Sequence, residues 1–372
     1  MRILMHCVYF PPEVGGLESH VHSLCRAFVE RGHEVHVVTS RSRPELPAHE
    51  VMDGIGVWRT WLPARNTPGW AAHAFASMPR FGALAQTADI LHAQDIASVL
   101  PCMVAKRVGS ASMVTTYHTS HFLRRAESPF WRPIFKRFLE AADYNLAAST
   151  EIAAVAAAIA PKVHVQPLTN GVETRIFRPV RPTLDAPPTG RFRLVVPRRL
   201  FEKNGVEFLL RAMPLIIAEV DVEAIVIGDG PERERLEELA GELDITDRVT
   251  FLGSRAHSEM PGLLSSGHLA VFPSLMEATS VAALESMACE LPVAASRVGG
   301  LPEIVSDDVG GLFEAGNPTA LARVVVDLLK GGQLDALGTE ARRRVVGRWS
   351  NDRLAERHLD VYRNLVSQRP AA

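Results

Sequence analysis

Short apolar runs alternate with helical stretches twice along this chain, and that alternation constrains the fold more than any other feature. In the first half, residues 2–8, 34–39, 89–92, 113–117 and 144–148 read as strands, separated by stretches of helical periodicity such as 17–31. The second half repeats the plan at 192–197, 222–227, 248–252, 268–272 and 293–296. Alternation of this kind implies parallel sheets joined by crossover helices. Between the halves, residues 177–190 (FRPVRPTLDAPPTG) have prolines and no period, and read as a linker. At 372 residues the chain is too long for one ordinary core and suits two domains of about 100–200 residues each. The expectation is an α/β protein with Rossmann-like domains at 1–176 and 191–349, the linker 177–190, and a final helix within 350–372 with Leu354, His358, Val361 and Leu365 on one face.

Composition narrows the class. Lys and Arg total 40 against 42 Asp and Glu, so no global field recruits nucleic acid or a membrane, and any basic patch is local. A hydrophobic fraction of 47% with 22% charge suits a soluble globular protein. Cys7, Cys25, Cys102 and Cys289 show no metal-ligand spacing, and the first three sit in apolar or helical stretches, as small buried hydrophobes do in a reducing cytoplasm. The opening MRILMHCVYF is followed by Pro11-Pro12 and lacks an extended apolar signal region. No run reaches the ~18 apolar residues of a membrane span, so the expectation is a chain that neither follows the signal route nor crosses a bilayer.

Chemistry concentrates in residues 272–296. The apolar run ending at Phe272 is broken by Pro273 and Ser274, Glu277 falls in the loop, and Thr279 or Ser280 can cap the helix that follows. A strand, loop and helix start bind phosphate, because unpaired N–H groups and the helix dipole face whatever lies before the helix. Glu277 stands ahead of that helix and Glu285 one to two turns inside it, so one can meet a sugar while the other accepts hydrogen bonds from a ribose. On spacing alone, two Glu eight apart are equally read as chance and dipole compensation. In the segment 196–205 (VPRRLFEKNG), Arg199 and Lys203 follow a strand end, where cations suit a diphosphate; a solvated basic loop is the alternative. Pro11 to Gly16 joins the first strand to the first helix and is either an anion nest or a plain turn.

Together these segments resemble glycosyltransferase family 4, the retaining enzymes of the glycosyltransferase B fold. The Glu277-x7-Glu285 pair with the following MAC-x-x-PV is similar to the family's signature, although Ala278, Thr279 and Ser280 stand where most members have Gly-Phe-Gly. The resemblance runs from residue 2 to about 366. It implies two Rossmann-like domains facing across a cleft, with the C-terminal helix crossing back to the first. For the donor, a nucleoside-diphosphate sugar, it implies phosphate contacts from Gly16, Arg199 and Lys203, a cleft lined by Gly230, a base-side loop at Ser254 and Arg255, and sugar and ribose contacts from Glu277, Ala278, Thr279, Ser280 and Glu285. His118 resembles the active-site histidine, with Gly15, Thr119, Arg124 and Asn170 on the acceptor side. Catalysis would rest on His118, Arg199, Lys203 and Glu277 in a front-face transfer needing no metal or cofactor.

The acceptor, a glycan, lipid-linked glycan or small molecule, is not legible. A nucleotide-sugar epimerase and a catalytically silent sugar-nucleotide-binding protein are the competing readings. Within residues 122–139, Trp131, Ile134, Phe135 and Phe138 follow helical spacing, with Arg132, Lys136 and Arg137 opposite and Arg124 and Arg125 before them. That stripe fits an ordinary core-packing helix. The resemblance adds a second reading, a basic helix lying on anionic lipid, as in a cytoplasmic enzyme peripheral to the inner face of the membrane, where many family members meet lipid-linked acceptors.

Overall fold

The computed structural model describes residues 1–13, 15–118, 120–168, 171–277 and 280–369. Two compact units form, Met1–Asn170 with Asn351–Ala372, and Gly171–Ser350. The first contains β1 (Arg2–His6), β2 (Glu34–Ser40), β3 (His49–Met52), β4 (Ile55–Thr60), β5 (Ile90–Gln94), β6 (Ser112–Tyr117), β7 (Tyr144–Ala147) and β8 (Val165–Pro167), in the order β3-β4-β2-β1-β5-β6-β7-β8. Among the described residues only β3 is antiparallel, folded onto β4 through Asp53 and Gly54, both at positive φ, which is the two-residue turn that matches strand twist. The second contains β9 (Phe192–Pro197), β10 (Val222–Ile227), β11 (Val249–Gly253), β12 (Leu269–Phe272), β13 (Val293–Ser296) and β14 (Gly310–Phe313), all parallel, ordered β11-β10-β9-β12-β13-β14.

That second order is the doubly wound arrangement, in which the chain reverses direction across the sheet between β9 and β12. Ligands of such sheets bind outside the carboxyl ends of the strands at the reversal. In the first sheet the corresponding reversal lies between β1 and β5. Both faces of the central strands are buried: Leu194 and Val196 of β9, with Leu269 and Val271 of β12, join one apolar cluster, while Val195, Ala270 and Phe272 join the other. Burial on both sides explains why these strands read as continuous apolar runs rather than alternating ones.

Residues 177–190, expected as a linker, are in part packed on the second unit. Phe177 is fully buried in its core, and Ser266 Oγ accepts from the N–H groups of Thr183 and Leu184. Residues 171–176, assigned from sequence to the first domain, also belong to the second unit, where Val172 bridges to Ser350. The helix Asn351–Ser367 lies in the first unit: Leu354, Leu359 and Tyr362 pack with Val21, Leu24 and Phe28, and Arg31 pairs with Asp352 at 2.9 Å. All four cysteines are buried and free, and burial pushes the Cys7 and Cys289 thiols up to about 12. Among the described residues no helix is long and apolar enough to cross a membrane.

Candidate active site

Two loops interlock where β9 and β12 end, at the reversal of the second sheet. Arg198, one residue past β9, is 9% exposed, and its Nη2 lies 2.7 Å from Oε2 of Glu277 in the loop after β12. The same nitrogen donates to Asn204 Oδ1 at 2.7 Å and Ser274 Oγ at 2.8 Å. A buried guanidinium costs several kcal/mol in lost hydration, which only close pairing offsets. One side chain therefore ties the β9 loop to the β12 loop. The Glu277 contact is an ion pair rather than an aligned hydrogen bond: Oε2 is buried and has no aligned donor among the described residues, so it retains acceptor capacity for a hydroxyl.

Arg199 and Lys203 are exposed, unlike Arg198. Their backbone is anchored, since Asn204 Nδ2 donates to the Arg199 carbonyl at 2.6 Å and Leu275 N–H donates to the Lys203 carbonyl at 2.8 Å. Gly205 takes a left-handed φ of 65°, and a Cβ there would overlap the Pro273 carbonyl, so the loops meet backbone to backbone. Ser280 caps the helix Val281–Ala288 by accepting from Ala283 N–H. Ala278 and Thr279 lie outside the described residues.

Glu285, inside that helix, is buried, and its Oε1 lies 2.8 Å from His257 Nε2. The hydrogen bond to Glu285 raises the His257 pKa against the opposing effect of partial burial, and the carboxylate's charge adds to the rise. The His257 ring also packs on Phe177 at 4.9 Å. Neither Arg198 nor His257 is among the residues picked from sequence. A doubled Arg at a strand end does signal that one of the two is buried, whereas nothing around His257 distinguishes it.

Gly230 has a role in packing, since a Cβ there would overlap the Leu200 carbonyl, and its N–H donates to Asp229 Oδ1. Arg255 is exposed and lines an open cavity of about 750 Å³ with Arg175, Arg178 and Arg181. In the first unit, Gly16 opens the helix Gly16–Glu30, with open space where its side chain would be. A Cβ on Gly15 would strike the Glu18 carboxylate. His20, one turn into that helix, brings its ring to 5.2 Å from that of buried His118, which follows β6. Arg124 is exposed on the helix Ser120–Ala126. Thr119 and Asn170 lie outside the described residues.

The apolar stripe within residues 122–139 is partly core. In the helix Trp131–Ala141, Phe135 and Leu139 are buried, and Phe135 stacks on Phe122 at 4.9 Å. Trp131 and Phe138 are half-buried, lining an apolar groove of about 140 Å³ with Trp70, Leu100 and Arg125.

Known proteins place this arrangement. Residues 14–176 match the profile described as Glycosyltransferase Family 4, and residues 191–331 that described as Glycosyl transferases group 1. The chain belongs to glycosyltransferase family 4 and has the glycosyltransferase B fold. Among curated relatives it is similar to an Arabidopsis thaliana component of phosphatidylinositol N-acetylglucosaminyltransferase, 28% identical over 87% of this chain and 73% of that one. The N-acetyl-alpha-D-glucosaminyl L-malate synthase of Bacillus anthracis is 27% identical over 95% of each. In fold it is similar to a sucrose-phosphate synthase from Thermosynechococcus elongatus, with TM-score 0.84 and 23% identity over 99% of this chain and 100% of that one. It is likewise similar to the Anabaena protein HepE in complex with UDP, with TM-score 0.76 and 18% identity over 98% and 100%.

Proposed function

We propose that this glycosyltransferase moves a sugar from a nucleoside diphosphate to an acceptor hydroxyl with retention of configuration and without a metal. The observation that carries the reading is the convergence of Arg199, Lys203, Glu277 and the Ser280-capped helix at the reversal of the second sheet. Arg199, Lys203 and helix N–H groups stabilise the charge that grows on the leaving diphosphate. The bond from C1 to the phosphate oxygen breaks, the acceptor oxygen bonds C1 on the same face, and its proton passes to the departing phosphate. Glu277 accepts from sugar hydroxyls and Glu285 from the ribose. Neither is a nucleophile of the kind that retaining glycosidases use.

Two relatives with different acceptors both carry N-acetylglucosaminyl in their names, so that sugar on a nucleoside diphosphate is the donor to try first. The α configuration printed for the malate relative is that of common nucleotide-linked N-acetylglucosamine, which supports retention. An acceptor with an apolar part would suit the groove of Trp70, Trp131 and Phe138, and we extend the proposal to peripheral contact with anionic membrane there. Flotation with anionic liposomes tests this: the protein rises at low salt and a variant charge-reversed at Arg124, Arg125, Lys136 and Arg137 stays down. Equal behaviour of the two would favour a soluble acceptor.

Incubation with UDP-, GDP- and ADP-sugars tests the main reading, with nucleoside diphosphate release as the expected result. Epimerised but intact donor would point to an epimerase. Binding without turnover would point to a catalytically silent protein.

A further inference from the structure

Four arginines surround one open cavity at the edge of the second sheet, all within the second unit. Arg175, Arg178, Arg181 and Arg255 line its roughly 750 Å³ beside β11, the edge strand, whose Leu252 forms part of the wall. β10 and β9 stand between β11 and the reversal at which the donor is proposed to bind. The loop after β11 is divided: His257 meets Glu285 and Phe177, while Arg255 and Ser258 line the cavity.

Arg178 and Arg181 are held by their backbone. Each precedes a proline, Pro179 or Pro182, which favours extended backbone at the arginine. In a polyproline-type run, residues three apart return to the same side. Val180 N–H donates to Ser265 Oγ at 3.2 Å, Thr183 N–H to the Gly262 carbonyl at 3.2 Å, and the Phe177 carbonyl accepts from Arg342 at 3.1 Å. The stretch is thus fastened on both sides of each arginine. Among the described residues no carboxylate pairs with the side chain of Arg178, Arg181 or Arg255. By contrast, Arg191, Arg193, Arg233 and Arg235 of the same unit each pair with Asp or Glu. Glu259 is the one carboxylate among the described lining residues, and its Oε2 already accepts from Ala256 N–H at 2.8 Å.

Fixed cations around a concave surface focus their field on an anion. A carboxylate has two oxygens, enough for one guanidinium fork, whereas a phosphate monoester has three and can meet several forks at once. The volume lies within the about 300–1,000 Å³ of small-molecule sites, and Ile176, Val180 and Leu252 give it an apolar wall. We propose that this cavity is a second ligand site, separate from the donor's, for an organic phosphate whose body is apolar or aromatic. Arg178 and Arg181 bind the phosphate, and Ile176, Val180 and Leu252 take the body.

Calorimetric titration of the whole protein with AMP, and with inorganic phosphate as the probe lacking a body, tests this. AMP should bind one per chain, about tenfold or more tighter than inorganic phosphate because of the apolar contact. Arg178→Ala with Arg181→Ala should weaken AMP about 10–100-fold, as loss of charge-assisted contacts does. Arg178→Lys with Arg181→Lys, which keep the charge but not the fork, should fall between. Both arginines are exposed, so the melting temperature should be that of the wild type. Arg255, which the family resemblance sets beside the donor, is left unchanged. Arg199→Ala with Lys203→Ala, which removes the proposed diphosphate contacts, should leave AMP binding intact. AMP binding that is absent, no tighter than that of inorganic phosphate, indifferent to the Arg178 and Arg181 changes, or lost with Arg199 and Lys203 would overturn the proposal. Absence of sugar transfer in the wild type would instead count against the proposed function and leave these titrations to decide the cavity.

Discussion

Arg198 and Glu277 form an ion pair at 2.7 Å with both side chains largely buried, 9% and 15% exposed, joining the two loops that surround the end of β9. Such a pair contributes to geometry more than to net stability, because desolvation cancels much of its attraction. Removing one partner is different, since the remaining charge stays buried.

Arg198→Ala should therefore destabilise the second unit by about 3–5 kcal/mol and also lower activity by releasing Glu277. Arg198→Lys should not rescue, because an ammonium lacks the planar fork that meets Glu277, Asn204 and Ser274 at once. Urea denaturation with turnover on the same samples measures both. Wild-type stability in Arg198→Ala would show the pair to be incidental.

Arg199→Ala and Lys203→Ala should do the reverse. Both side chains are exposed, so stability should stay within about 0.5 kcal/mol, while the barrier to transfer rises by about 2–4 kcal/mol from loss of charge-assisted contacts to the leaving diphosphate. Steady-state kinetics beside thermal melts separate the effects. Near-normal turnover in both would remove the phosphate assignment.

Gly299 sits at φ +52°, and a Cβ there would overlap the Glu277 carbonyl. Gly299→Ala should cost about 1–2 kcal/mol from the left-handed backbone alone and displace Glu277 as well. The expected signature is a fall in kcat larger than the loss of stability would explain, read from kinetics well below the melting temperature.

The His257–Glu285 pair predicts a pH dependence. Because the folded His257 pKa is raised above the unfolded value near 6.5, its stabilisation is fully present below that pH and is lost as pH rises through the folded pKa. His257→Gln should melt below wild type at pH 6 and converge with it in mildly alkaline buffer. A constant gap from pH 5.5 to 8.5 would mean that the contact is not charge-linked. Glu285→Ala should weaken nucleoside diphosphate binding with less effect on kcat, as a contact made equally in ground and transition states does. Calorimetric titration with UDP checks this, and unchanged affinity would rule out the ribose role.

Much of the fold was legible because buried parallel strands are apolar throughout. All ten runs read as strands are strands, within a few residues at their ends. The other four lacked that signal: β8 is three residues ending in proline, β14 begins with two glycines, β4 has Gly56 and Arg59 interrupting its apolar run, and β3 is a solvent-edge strand whose marker, Asp53-Gly54, lies in the turn rather than the strand. In the site, the loop carrying Glu277 and the Arg199–Lys203 loop meet backbone to backbone at Pro273 and Gly205, beside the Ser280-capped helix. The arginine that organises them, Arg198, could not be told from Arg199, since one residue of backbone direction at a strand end decides which is buried. His92 read as an ordinary strand residue, because its partner Tyr362 lies 270 positions away.

Transfer from a nucleotide sugar with retention is the central claim, and proton NMR of the reaction mixture tests it most directly. With UDP-N-acetylglucosamine as donor and malate or phosphatidylinositol vesicles as acceptor, the account predicts UDP release matched by a new α-linked N-acetylglucosaminyl product, recognised by its small H1–H2 coupling. A β-linked product, or UDP-sugar that is epimerised but never cleaved, would contradict it.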